Sequence, residues 1–89
     1  MNTSNQSLLK FPCSFPIKIM GECTDGFANA ICEVVKSHAP DFDPAEMEMR
    51  PSRNGNYLGL TVTITAQSKT QLDNLYLALT RHPMVKVVL

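Results

Sequence analysis

The most regular pattern in the chain lies in Ser52-Arg53-Asn54-Gly55-Asn56-Tyr57-Leu58-Gly59-Leu60-Thr61-Val62-Thr63-Ile64-Thr65-Ala66. From Leu58 the residues alternate. Leu58, Leu60, Val62, Ile64 and Ala66 fall on one face, and Gly59, Thr61, Thr63 and Thr65 on the other. A period of two marks a strand with one buried and one polar side. Its β-branched residues suit a half-buried pleated surface. Asn54-Gly55 just before it takes positive φ at little cost, as a tight hairpin turn requires. The stretch therefore predicts a central strand entered from a hairpin.

On its N-terminal side, Ala45, Met47 and Met49 alternate with Glu46, Glu48 and Arg50, which predicts a strand ended by Pro51. On the other side, Ser68-Lys69-Thr70-Gln71 has the capping-box spacing. Leu72, Leu75, Tyr76 and Leu79 recur behind it at helical spacing. Arg81-His82-Pro83 closes that helix, and Met84 to Leu89 reads as a short last strand. Earlier in the chain, Phe15, Ile17 and Ile19 alternate with Pro16, Lys18 and Met20 up to Gly21. The loop Gly21–Gly26 leads to a helix capped by Thr24 or Asp25, with Phe27, Ile31, Val34, Val35 and His38 as its stripe and Ala39-Pro40 as its stop. The order is β-α-β-β-α-β. It predicts an α+β, ferredoxin-like sandwich: a four-stranded antiparallel sheet, first and third strands central, both helices on one face. The expected core sets Phe15, Ile17, Ile19, Leu58, Leu60, Val62 and Ile64 against Phe27, Ile31, Val34, Leu72, Leu75 and Leu79. Residues 1–10 are read as a polar, flexible tail and 11–89 as one domain.

The chain has 89 residues, with eight basic and eight acidic side chains that cancel. No cationic excess is available for a phosphate backbone, which argues against nucleic-acid binding. No apolar run reaches membrane-spanning length, and residues 1–10 lack the pattern of a signal peptide. Three cysteines without CxxC spacing, Cys13, Cys23 and Cys32, fit a reducing compartment. A cytoplasmic location is expected.

Known uses of this fold were tested on residues, since the fold alone assigns no function. RNA recognition stacks bases on open-face aromatics. The face expected to lie open carries Lys18, Met20, Glu46, Glu48, Thr61, Thr63, Thr65 and Lys86, with Tyr57 its lone aromatic. Copper transfer on this fold uses a cysteine pair before the first helix, where this chain has Cys23 alone. A phosphate-handling loop would carry arginine where Glu22 and Asp25 stand. His38 and His82 fall at helix C-termini, where charge–dipole interaction accounts for them. Zinc needs three or four ligands, so no metal and no other cofactor is expected. No nucleophile–base or acid pair stands at a usable spacing, and no catalytic residue is assigned.

Phe15-Pro16 with Lys18 and Met20-Gly21, the helix stop His38-Ala39-Pro40, the hairpin Pro51 to Tyr57 and the ending His82 to Leu89 together resemble the YbeD-like family of small bacterial proteins. The likeness runs from Phe11 to Leu89. It implies a ferredoxin-like fold similar to ACT regulatory domains, without known catalytic residues. Asp25-Gly26-Phe27 also looks like the ACT pattern at the first helix, without the proline common before that glycine.

The leading expectation is a cytoplasmic regulatory or binding module that is not an enzyme and works through a partner protein or self-association. The threonine-rich sheet face, the edge strands and Leu77 would supply its contacts. The alternative is an ACT-type sensor of a small, amino-acid-like effector. That effector would sit at Gly21, Glu22, Thr24, Asp25, Gly26 and Phe27, where free helix N–H groups meet a carboxylate and the acidic side chains meet an ammonium.

Overall fold

The computed structural model of the chain describes residues 10–89. All of the expected tail but Lys10 lies outside them. Four strands, β1 (Cys13–Glu22), β2 (Glu48–Pro51), β3 (Tyr57–Ala66) and β4 (Val85–Val88), and two helices, α1 (Phe27–His38) and α2 (Lys69–Arg81), follow in the expected order. The strands form one antiparallel sheet in the order β2-β3-β1-β4, so β1 and β3 are central. Their pairing is in register over ten residues, from Cys13 opposite Ala66 to Glu22 opposite Tyr57. The fold is ferredoxin-like.

The alternation in β3 is the one its sequence implies. Leu60, Val62, Ile64 and Ala66 are buried, while Thr63 and Thr65 are exposed. Ile17 and Ile19 of β1 join them, and Phe27, Ile31, Val35, Leu72, Leu75 and Leu79 cover this side from the helices. Val35, not Val34, is the buried member of its pair on α1, and Phe15 and Leu58 are half-buried at the sheet ends. Ala39 and Phe42, from the segment after α1, complete the core. Phe15 meets Tyr76 edge-on, with ring centroids 6.4 Å apart. Burial raises the Tyr76 pKa above its ordinary value.

Two local expectations are corrected. Neither Thr24 nor Asp25 caps α1. Gly26 holds the cap position at φ 87°, with no side chain bonded to the first turn. The left-handed backbone there suits glycine, and the Thr24 carbonyl accepts the Phe27 N–H instead. The strand expected from Ala45 begins at Glu48. Asp43 caps a short 3-10 turn over Pro44–Glu46 by accepting the Ala45 N–H at 3.0 Å, and Pro44 stands at the start of that turn. Pro51 is the last residue of β2, as expected. Ser52 donates its N–H to Tyr57, so by alternation the absent N–H of Pro51 faces the outer edge, where proline is tolerated.

The α2 cap follows its sequence signal. Ser68 Oγ accepts the Gln71 N–H at 3.1 Å, and Gln71 Oε1 reaches back to the Gln67 N–H. Gln71 Nε2 also donates to the His38 carbonyl at 2.8 Å, which ties the start of α2 to the end of α1.

Candidate functional site

The helices cover one face of the sheet, and among the described residues the other lies open. Pairing sets the open face in rows. Glu48, Thr61 and Lys18 align across β2, β3 and β1, and Leu89 joins Lys18 through reciprocal backbone hydrogen bonds of 2.8 and 3.2 Å. The next row is Arg50, Gly59, Met20 and Val87. The third holds Tyr57 beside Glu22. A register shift at Met20/Gly21 turns Lys86 toward the same side, where its Nζ lies 3.6 Å from Glu22. Both of those side chains are more than half exposed, so this pair adds little stability.

Gly59 is the floor of this face. It puts no side chain between Met20 and Arg50, and a shallow open depression of ≈ 840 Å³ lies above it. Five apolar residues with large exposed areas line it: Met20 at 43%, Tyr57 at 44%, Val87 at 45% and Leu89 at 72%, with Met49 at 59% on the β2 edge. Lys18, Arg50 and Glu48 stand among them, and no ion pair inside the chain is found for these three among the described residues. Glu46, expected on this face, lies in the 3-10 turn away from the sheet. The sequence reading gave the face its charges and threonines but missed Gly59. The available signal was a glycine on the polar side of the most regular strand.

The six residues expected to hold a small effector divide in two. Gly21 and Phe27 are buried core residues. The Phe27 ring and the Met84 carbonyl close over the Gly21 backbone so tightly that a side chain there would overlap both. Glu22, Thr24, Asp25 and Gly26 are exposed. Glu22 and Thr24, with Cys23, border a cleft of ≈ 350 Å³ whose other wall is Gly55, Asn56 and Tyr57 of the hairpin. The Cys23 N–H donates to the Asn56 carbonyl at 2.9 Å across this junction. The loop thus meets the β2–β3 hairpin, whose sequence by itself signals only a turn.

The remaining reactive groups are dispersed. Cys13, Cys23 and Cys32 are free thiols. Cys32 packs 3.8 Å from the Met47 sulfur, and burial pushes its pKa up despite Lys36 nearby, which keeps it a protonated packing residue. His82 Nδ1 accepts the Met84 N–H at 3.1 Å, a local role in the turn into β4. Among the described residues, no three of His, Cys, Asp and Glu come together as a metal-holding group. No helix among them is long and apolar enough to cross a membrane.

The sequence model of the family described as Protein of unknown function (DUF493) matches residues 6–89. The chain belongs to this family. The UPF0250 protein of Nitrosomonas europaea is 55% identical over 86 residues, which is 97% of this chain and 99% of that one. The UPF0250 protein of Chromobacterium violaceum is 54% identical over the full length of both chains. The resemblance to the YbeD-like proteins is therefore a true kinship. Among solved structures, protein HP0495 from H. pylori superposes with a TM-score of 0.74 over 91% of this chain and 85% of its own, at 13% identity. At that identity the likeness establishes the fold alone.

Proposed function

We propose that this UPF0250 domain is a cytoplasmic binding module without catalytic activity, which works by protein–protein association through the open face of its sheet. The observation that carries the reading is the grouping of Met20, Tyr57, Val87 and Leu89, all exposed, around the depression over Gly59. Contiguous apolar surface with a charged rim is what a protein contact uses, whereas isolated exposed apolar residues are ordinary. Leu77 is of the second kind: it is exposed on α2, and its neighbours Tyr76 and Ala78 are half-buried. The depression on this face is open and shallow among the described residues, a shape that suits a macromolecule better than a small substrate.

The test is photo-cross-linking in cells, with a photo-reactive residue placed at Met20 or, as a control, at exposed Asn74 on α2. Protein adducts should be several-fold more abundant from position 20. Equal yields, or none from position 20, would contradict the reading.

A second reading, a sensor of an amino-acid-like effector, keeps one observation in its favour. No side chain caps the first turn of α1, which starts beside the exposed Glu22, Thr24 and Asp25. Titration with amino acids, followed by amide shifts of residues 22–27, decides it. Saturable shifts favour the sensor, and silence at millimolar ligand removes it.

A further inference from the structure

We propose that the open face takes a second copy of this chain, packed face to face across a two-fold axis, with each Met20 seated over the partner's Gly59. The proposal rests on the association reading above and names the partner. It follows from the row structure of the face.

Met20 and Gly59 are cross-strand neighbours in one row, a protruding exposed side chain next to a bare backbone. Take a two-fold axis in the contact plane, running along the strands between β3 and β1. It lays β1 of one copy over β3 of the other and keeps each row level with itself. Each Met20 then lies over the partner's Gly59, twice in one interface. An isologous contact needs such a surface, complementary to itself.

The charges follow the same geometry. In the next row, Lys18 comes to lie over the partner's Thr61, one strand spacing of ~4.8 Å from the partner's Glu48. Arg50 lies over the partner's Val87 and diagonal to the partner's Glu22. The face carries Lys18, Arg50 and Lys86 together with Glu22 and Glu48, and opposite signs meet at these positions. A face of one sign would repel a copy of itself.

Area sets the strength. The part of the sheet four strands wide spans ~20 by ~14 Å, and the β1–β3 ladder runs ~20 Å further at two strands' width, together about 500 Å² per copy when drawn flat, at the low end for a specific interface. The dimer is therefore weak and reversible, and is read at high concentration.

Sedimentation equilibrium from ~10 µM to ~1 mM tests this, a range chosen for an interface of this size. The decisive variant is Gly59→Val. A Cβ at residue 59 meets nothing nearer than the Arg50 carbonyl oxygen at 3.5 Å, an ordinary contact, so the variant folds. Valine also suits a strand better than glycine. Its dissociation constant should rise at least ~30-fold, because the side chain fills the seat of Met20. Lys18→Glu and Glu48→Lys should each weaken the dimer ~10-fold, and the double variant should return to within ~3-fold of the parent. A parent chain that stays monomeric throughout, a dimer indifferent to Gly59→Val, or a double variant no better than the single ones would overturn the proposal. If the parent is monomeric while position 20 still cross-links to another protein, only the self-pairing fails. If position 20 gives no adducts, the association reading fails with it.

Discussion

Gly21→Val is expected to leave the chain largely unfolded in buffer. Gly21 is buried in β1 where β4 begins, beside the register shift of their pairing. A Cβ at this position would overlap the Met84 carbonyl oxygen and lie 2.6 Å from Cζ and 2.8 Å from Cε1 of Phe27. Neither neighbour has room to yield. The carbonyl is backbone leading into β4, and Phe27 is fully buried among the core side chains. Overpacking ordinarily costs ~1–3 kcal/mol, and a forced shift of backbone costs more. A domain of this length holds only ~4–13 kcal/mol in all. Gly21→Ala should lose at least ~2 kcal/mol by urea denaturation, and Gly21→Val should show no folded baseline. A valine variant within a few degrees of the parent melting temperature would mean that β4 does not pack where it is described.

Val62→Asp should be as damaging for a different reason. Val62 is fully buried in the middle of β3, and among the described residues no polar or charged side chain is buried with it. An aspartate there loses its hydration and finds no partner. The expected loss is ~4 kcal/mol or more, against ~2–3 kcal/mol for Val62→Ala, which removes methyl groups alone. The two variants separate by pH. Burial raises the aspartate's folded pKa above its unfolded value, so the protonated acid is the form the core tolerates. The penalty is smallest below the unfolded pKa and grows as pH rises through the raised folded one. Val62→Asp should therefore recover part of its stability in acid, relative to Val62→Ala, whereas a pH-independent gap between them would contradict the burial of this position.

What was legible in the chain followed from periodicity. β3 and α2 repeat cleanly, and their boundaries, faces and caps came out as the pattern implies. Where two signals competed, the local reading failed. Ala45 to Arg50 alternates like a strand, but Asp43-Pro44 starts a 3-10 turn and takes the first residues out of the sheet. Thr24 and Asp25 are good caps by type, yet the left-handed Gly26 takes the position, because backbone geometry there outweighs side-chain propensity. Gly21 looked like a loop glycine open to a ligand, and its real constraint, Phe27 and Met84 folded over it, depends on contacts between residues distant in the chain. The open face was legible as a set of polar residues. Its depression was not, since it arises only when β2, β3 and β1 set Arg50, Gly59 and Met20 side by side.

Association of the chain with a copy of itself through the Gly59-centred face is read by amide chemical shifts followed as protein concentration is raised. Progressive, coupled shifts are expected at Lys18, Met20, Gly59, Thr61 and Val87, absent in Gly59→Val, with Asn29, Glu33 and Asn74 on the exposed helix surfaces unmoved. Shifts confined to the helices, or a sheet face that stays silent while the others move, would contradict it.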